Sequence, residues 1–475
     1  MRRRTLLGLG LLLGLAGTPA AAAGPSAARP NVVLFYIDTF RADHAHCYGY
    51  RRETTPSLDS LAARGTLFET HIAASSWSLP CYGSIFTSLP PPTHGASDLH
   101  AVIDRSFTTL AGVMAANGYA TAAFVGGAQL THIFGMDNGF QTYEDEPNFA
   151  SLFDKVPAAL AWLDRHGREK PFLLMVQGYD AHQPYDVPLG FADVYDQGYQ
   201  GLVHDQSLLC YENIPKIAGN VFRSSGTTPN SPTGVTLPAA ARSAPRSAWV
   251  SAPLSAADRA HMACHYDGAL TYADTWLGYF LEEFEARGFA KNTIVLFGGD
   301  HGEGLGEHGY YHHRFDLYDS MIHVPLVIAG PGVAAGRRVK DLVEQVDLAP
   351  TILELCSLAP CRAFQGRSLA PYLSSTPPVP AEGPERIGFS SLTTSVSART
   401  SRWHYIRETP GKRFLYDLVS DPDEQTNLLE TQPKVVDWLD GQLTDWLERT
   451  YRKPTNAAEQ GDASFREILR QGGYW

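Results

Sequence analysis

The apolar residues of this chain fall into two alternating patterns. Three short uninterrupted runs, Asn31-Val32-Val33-Leu34-Phe35-Tyr36-Ile37, Phe172-Leu173-Leu174-Met175-Val176 and Thr293-Ile294-Val295-Leu296-Phe297, are rich in β-branched and aromatic residues. They are too uniformly apolar for surface helices, and each predicts a strand buried on both faces. Between them lie helical periodicities, Leu58 to Gly65 and Tyr272 to Gly288. The second carries Trp276, Phe280 and Phe284 four residues apart and Gly288 as a stop. That stripe predicts core packing rather than a ligand site. Strands alternating with helices predict an α/β fold, with a large mostly parallel sheet covered by helices on both faces. The pattern breaks over about residues 201–250, where Ser, Thr, Pro, Gly and Ala dominate from Ser224 to Ser247. This insertion is either a disordered excursion or a substrate-facing lid. A Pro-rich stretch from Ser374 to Pro384 marks a boundary, dividing a main domain (30–373) from a smaller C-terminal α+β subdomain (385–475).

Residues 1–23 read as a signal peptide: three arginines, an apolar run from Leu6 to Ala16, then a small-residue stretch ending at Ala23. The run is shorter than the roughly 20 residues of a spanning helix, and the competing reading is an uncleaved anchor. Arg3-Arg4-Thr5-Leu6-Leu7 also resembles a twin-arginine signal, so the export route stays open between that and general secretion. No other segment reaches membrane-spanning length, which leaves a periplasmic or secreted protein as the expectation. Export permits cysteine pairing. Cys356 with Cys361 is the expected bridge and Cys210 with Cys264 a second guess, against buried free thiols; no C-x-x-C supports a thiolate zinc site. A formal net charge of −12 argues against nucleic-acid or anionic-membrane partners.

Polar groups follow each predicted strand: Asp38-Thr39 after the first, Asp180 and His182 after the second, Gly299-Asp300-His301 after the third. Open α/β sheets place their sites at such carboxyl ends. Taken singly, a strand-end Asp is more often a helix cap than a ligand. Together, Asp38, Asp300 and His301 supply the oxygen and imidazole donors that a divalent cation needs. Trp77-Ser78-Leu79-Pro80-Cys81-Tyr82-Gly83-Ser84-Ile85-Phe86-Thr87 sets hydroxyl and thiol residues just ahead of a predicted helix, whose first amides can hold an anion.

Ser78-Leu79-Pro80-Cys81-Tyr82 resembles the sulfatase signature C/S-x-P-x-R, whose first residue is oxidised to formylglycine. The resemblance extends along the chain. Asp38-Thr39-Phe40-Arg41, Thr55-Pro56-Ser57-Leu58-Asp59, Asp180-Ala181-His182-Gln183-Pro184-Tyr185 and Gly299-Asp300-His301-Gly302-Glu303 are similar to family motifs. So are His313 ahead of Leu317-Tyr318, His323-Val324-Pro325-Leu326, Asp347-Leu348-Ala349-Pro350-Thr351, and Leu415-Tyr416-Asp417 with Asp421-Pro422 and Asn427-Leu428. The chain is thereby identified as a member of the sulfatase family in the alkaline phosphatase superfamily. The resemblance implies Ser78 as the nucleophile position, with Asp38, Asp300 and His301 holding one divalent metal. It implies His182 and His313 as groups that contact the sulfate or protonate the leaving oxygen, with Arg314 competing for the place of His313. Calcium is the family's usual ion; Thr39, where a second Asp is common, lowers the carboxylate count and leaves manganese or another divalent ion open. The implied partners are a sulfate-ester substrate, a glycan among the candidates, and a maturation enzyme if Ser78 is oxidised.

Two departures bear on the chemistry. Tyr82 stands where the signature has Arg, and Val125-Gly126-Gly127-Ala128 lacks the Lys and His of the family's G-K-W-H segment. Both losses remove positive charge near a bound anion. Three functions stay open at this point: a sulfuric ester hydrolase using formylglycine, a phosphoric mono- or diester hydrolase using unmodified Ser78, and an inactive homologue that binds sulfated glycans.

Overall fold

The computed structural model describes residues 29–451 apart from 99–100, 184, 186, 189, 192–193, 197, 200–254, 310, 315, 376–384 and 410. The leader, most of the insertion and residues 452–475 therefore lie outside the described residues. The three uniformly apolar runs are strands, the first with the expected limits and the other two each running two residues further, and they lie side by side. In chain order the main-sheet strands are β1 (Asn31–Ile37), β2 (Gly65–Phe68), β3 (Ala120–Phe124), β4 (Thr142–Glu144), β5 (Phe172–Gly178), β6 (Thr293–Gly299), β7 (Leu326–Ala329) and β8 (Arg337–Val339). Their spatial order is β8-β2-β7-β6-β1-β5-β3-β4, with β7 antiparallel to both neighbours and every other pair parallel.

The period of two along a strand explains why β1 is apolar throughout. Val32, Leu34 and Tyr36 enter one core cluster, and Val33, Phe35 and Ile37 enter the other. Helices α2 (Ser78–Thr87) and α5 (Leu348–Leu355) cover the first face; α1 (Pro56–Arg64), α3 (Leu152–His166) and α4 (Ala256–Ala286) cover the second. Phe280, from the predicted aromatic stripe, packs its ring 5.5 Å from that of Phe35, and burying such a side chain contributes about 1.5–3 kcal/mol.

Helix α4 begins well before Tyr272, behind a Ser255/Asp258 capping box. Its first half has no apolar stripe because some of its inward positions are polar. Asp267 accepts from His44 Nδ1 (2.6 Å) and the Tyr50 hydroxyl (2.7 Å) and pairs with Arg52. In the second half, Asp274 takes the amides of Ser57 (2.7 Å) and Leu58 (2.9 Å), capping α1 from a distance.

The C-terminal part is an antiparallel sheet, β9 (Gly388–Ser391), β10 (Ser395–Arg399), β11 (Trp403–Glu408) and β12 (Arg413–Asp417), covered by α6 (Pro433–Thr450). Ala398, Tyr405, Leu415, Leu439, Leu443 and Trp446 form its core. It is bound to the main sheet by Arg399, which grips both Asp319 oxygens at 2.6 and 3.0 Å. It also braces the segment leading into α2: Ser391 donates its amide to the Ala74 carbonyl (2.9 Å), and Ser75 donates its hydroxyl to the Ser391 carbonyl (2.7 Å).

The expected Cys356–Cys361 bridge is absent; both are free thiols. Cys356 caps α5, fully buried beside the Tyr119 hydroxyl, while Cys361 lies partly exposed on the loop beyond. Cys264 is also a free thiol, its sulfur taking a hydrogen bond from Arg52 (3.1 Å), and Cys210 lies outside the described residues. Among the described residues no helix is long and apolar enough to cross a membrane.

His94 connects this packing to pH. It is buried against α2, with Nδ1 accepting from the Ala96 amide and Nε2 facing Ser84 Oγ, both at 3.2 Å. Burial lowers its pKa from 6.5 to about 3. Below pH 6.5 the unfolded chain therefore takes up a proton that the folded chain refuses, and stability falls as the pH drops from about 6.5 toward 3. His94→Gln should lower Tm at pH 7.5 through the altered hydrogen bonds, yet flatten its decline between pH 6.5 and 4. An unchanged slope of Tm against pH would contradict this.

Candidate active site

Three parallel strands, β6, β1 and β5, end beside one another, and every residue expected at the site gathers there. Asp38 follows β1, its amide continuing the ladder to the Gly178 carbonyl (3.1 Å). Thr39 then turns into the left-handed region (φ +56°), a strained state for a β-branched residue. Its hydroxyl donates to the Ala181 carbonyl (2.8 Å), and its carbonyl accepts from the Tyr266 hydroxyl (2.6 Å). Its amide donates to Asp300 Oδ1 (3.1 Å), an oxygen that also takes the His301 amide (2.9 Å). Thr39 therefore turns its side chain toward Ala181 and gives Asp300 its backbone amide. Gly302 is required next, because a Cβ there would collide with the Ser320 carbonyl, so close does the chain pass.

Ser78 is the first residue of α2 rather than a loop residue ahead of it, and Trp77 gives the helix no side-chain cap. The open amides and the dipole of the first turn face the region of Ser78. Its hydroxyl donates to Asp38 Oδ2 (3.0 Å), and its oxygen lies 3.2 Å from His301 Nε2. His301 Nδ1 faces the Gly302 carbonyl (2.9 Å), which fixes the proton on Nδ1 and the lone pair on Nε2.

Asp38, Asp300 and His301 are fully buried and present one donor atom each, all within 4.8 Å of one another. Asp38 Oδ1 and Asp300 Oδ2 have no hydrogen-bond partner, and His301 Nε2 lies 4.0 and 3.5 Å from them. Burial and the facing Asp300 carboxylate raise the pKa of Asp38 well above the usual range. Two orphaned carboxylate oxygens and an imidazole lone pair aimed at one point suit a divalent cation and little else.

His182 Nδ1 faces the Gln183 carbonyl (2.5 Å), leaving Nε2 buried without a partner. His313 packs 5.0 Å from the His182 ring and 4.6 Å from His301, with Nδ1 3.4 Å from Glu303 Oε1. Burial lowers the pKa of His182 to about 4 and that of His313 well below 6.5. Arg314 donates its amide to the Ser76 carbonyl (3.0 Å) and holds its guanidinium 5.4 Å from the Trp77 ring centre. Asp180 is no ligand: it binds the Leu152 amide (2.8 Å) at the start of α3.

Residue patterns missed Gln345 and left Glu303 and Tyr82 without a structural role. Gln345 donates to the Asp300 carbonyl (2.6 Å) and accepts from the Ala74 amide (2.9 Å), joining the metal-ligand turn to the approach to Ser78. Nothing in its neighbourhood marks it. Glu303 is fully buried with one oxygen unpaired, and its motif context was the signal. Tyr82 is buried edge-on to Tyr36 at 5.7 Å, with burial, Asp300 and Asp38 raising its pKa. At that position the site therefore carries a neutral phenol in place of a cation.

A parallel α/β sheet with a cation-ready triad at its strand ends and a serine on the adjoining helix N-terminus defines a hydrolase of the alkaline phosphatase type. The Sulfatase family profile matches residues 30–358 and the profile described as N-sulphoglucosamine sulphohydrolase, C-terminal, matches 306–452; the chain belongs to the sulfatase family and is a sulfatase-type enzyme. Arylsulfatase K of Rattus norvegicus is 25% identical over 87% of this chain and 77% of its own. Choline-sulfatase of Rhizobium meliloti (strain 1021) is 24% identical over 94% and 93%. Among solved structures, a protein in complex with its substrate D-glucosamine-2-N,6-O-disulfate superposes with TM-score 0.70 at 20% identity, covering 89% of this chain and 97% of that one. The phosphonate monoester hydrolase of Agrobacterium radiobacter superposes with TM-score 0.69 at 20% identity, covering 90% and 99%.

If the triad holds a cation, chelator-treated protein should gain stability when Ca²⁺ or Mn²⁺ is returned, by about 2.7 kcal/mol at a hundredfold excess over Kd. Asp300→Asn should show no such rise in Tm. A wild-type Tm indifferent to both ions would contradict the assignment.

Proposed function

We propose that the protein is an exported, metal-dependent hydrolase of sulfate monoesters acting through formylglycine made from Ser78. The observation that carries this reading is the position of Ser78 Oγ, between Asp38 Oδ2 and His301 Nε2 at the uncapped start of α2. A divalent ion held by Asp38, Asp300 and His301 would draw off negative charge from the ester oxygens. Once Ser78 is oxidised and hydrated, one geminal hydroxyl loses its proton to Asp38 Oδ2, and its oxygen attacks sulfur in line. The ester S–O bond breaks, and the leaving oxygen takes a proton from His182 or His313. Both imidazoles are neutral when the site is empty, and an anionic ester beside them favours their protonated forms. The second geminal hydroxyl then loses its proton, the carbon–oxygen bond to sulfate breaks, and the aldehyde returns. The leader pattern supports a periplasmic or secreted location, and a maturation enzyme is the implied partner. Sulfated sugars join aryl and alkyl sulfates as substrates to try, since a structural neighbour was solved with a sulfated glucosamine.

A second reading, phosphoester hydrolysis by unmodified Ser78, is favoured by Tyr82, which departs from the signature a maturation enzyme would read. Here the Ser78 oxygen attacks phosphorus, its proton passing to Asp38 Oδ2; the P–O bond to the leaving alcohol breaks, that oxygen takes a proton from His182 or His313, and water then cleaves the phosphoserine to release phosphate and restore the hydroxyl.

The peptide carrying Ser78, from protein purified from its own host, decides between them. A mass lower by two hydrogens supports the sulfatase scheme; an unmodified serine in active protein supports the phosphoester scheme. Under either, Ser78→Ala should lower kcat/KM on aryl sulfate or phosphate at least about 1,000-fold, and unchanged rates would overturn both.

A further inference from the structure

Away from the catalytic centre, the first turns of α4 bring two imidazoles together. His261 and His265 are one turn apart on a single helix face. Their Nε2 atoms approach to 2.9 Å with the ring planes at 83°. His261 Nδ1 faces Asp196 Oδ2 at 2.9 Å, and Tyr199 stacks on the same ring at 3.8 Å and 10°. An ionised carboxylate only accepts, so the His261 proton sits on Nδ1 and its Nε2 presents a lone pair. In the metal-free protein the contact between the two rings therefore uses a proton on His265 Nε2. A divalent metal beside the pair, off the line between the two nitrogens, can displace that proton and be ligated by both.

The spacing narrows the choice of ion. Nitrogens 2.9 Å apart subtend about 90° at a metal about 2.05 Å from each. That is the cis angle of a tetragonal or octahedral ion, so the spacing matches Cu(II) or Ni(II), whereas tetrahedral Zn(II) needs the pair to open. A carboxylate on the far nitrogen of a ligating imidazole fixes its tautomer and raises its basicity, which is the place Asp196 occupies.

We propose that His261 and His265 form a second metal site, separate from Asp38, Asp300 and His301, for a divalent transition metal of the Cu(II) or Ni(II) type. Asp196 is its supporting carboxylate, and water completes the coordination. Loading the site strengthens the His261–Asp196 bond and so ties the chain around Tyr195 and Tyr199 to α4. Tyr195 already meets α4 through Thr271 Oγ1 (2.8 Å). Tyr266, the residue after His265 on that helix, holds the strained Thr39 turn at the catalytic centre.

The test is titration of tag-free, chelator-treated full-length protein with copper(II) sulfate, followed by low-temperature electron paramagnetic resonance. Wild-type protein should bind one equivalent with coupling to two imidazole nitrogens, and His265→Ala and His265→Gln should each bind one equivalent fewer. Asp196→Asn should weaken that equivalent about 10- to 100-fold, while Asp300→Asn keeps it. Metal-free Tm values of the His265 variants, matching wild type, exclude misfolding as the cause. Equal copper binding in wild type and both His265 variants would overturn the proposal and leave the pair as hydrogen-bonded imidazoles.

Discussion

Two carboxylates, Asp38 and Asp300, face each other at the ends of neighbouring strands, fully buried, each with an oxygen that no protein group satisfies. Like charges in so dry a place cost several kcal/mol unless a cation lies between them or a proton neutralises one. Much of the surrounding architecture makes sense as a means of holding this arrangement open. The uniformly apolar strands β6 and β1 deliver the two groups in register, and their partners on either face bury them too deeply for water to take over the task.

The turn after β1 shows how local strain and global packing meet. Thr39 occupies a left-handed conformation that its branched side chain disfavours, and three hydrogen bonds, to Ala181, Tyr266 and Asp300, hold it there. The result is a backbone amide directed at Asp300, with a neutral hydroxyl as the side chain of this turn. Gln345 and the strand β9 then bind the segment before Ser78 to the same frame. Ser78 and the carboxylates therefore belong to one braced unit, the kind of preorganisation that electrostatic catalysis requires.

Much of this was legible in the residues. The three apolar runs announced the central strands because a strand buried on both faces has no polar positions to lose, and Asp38, Asp300, His301, Ser78, His182 and His313 were marked by strand ends and motifs. The first half of α4 was not legible, because Asp258 and Asp267 sit inward as hydrogen-bond acceptors and interrupt the apolar stripe. Gln345 carried no signal, since a buried amide that links two backbone segments looks like any other glutamine. The Cys356–Cys361 expectation failed for a geometric reason: five residues of separation says nothing about a thiol committed to the core beside Tyr119. The charge lost at Tyr82 was visible; that a phenol buried against Tyr36 fills the place was not.

The central claim is that one divalent ion, Asp38, Asp300, His301 and residue 78 form a single reactive centre. Anomalous diffraction from crystals soaked in Mn²⁺ tests it most directly. The account predicts a peak bounded by Asp38 Oδ1, Asp300 Oδ2 and His301 Nε2, within a few ångströms of residue 78. A fully occupied ion elsewhere, with these three side chains left as they are, would contradict it.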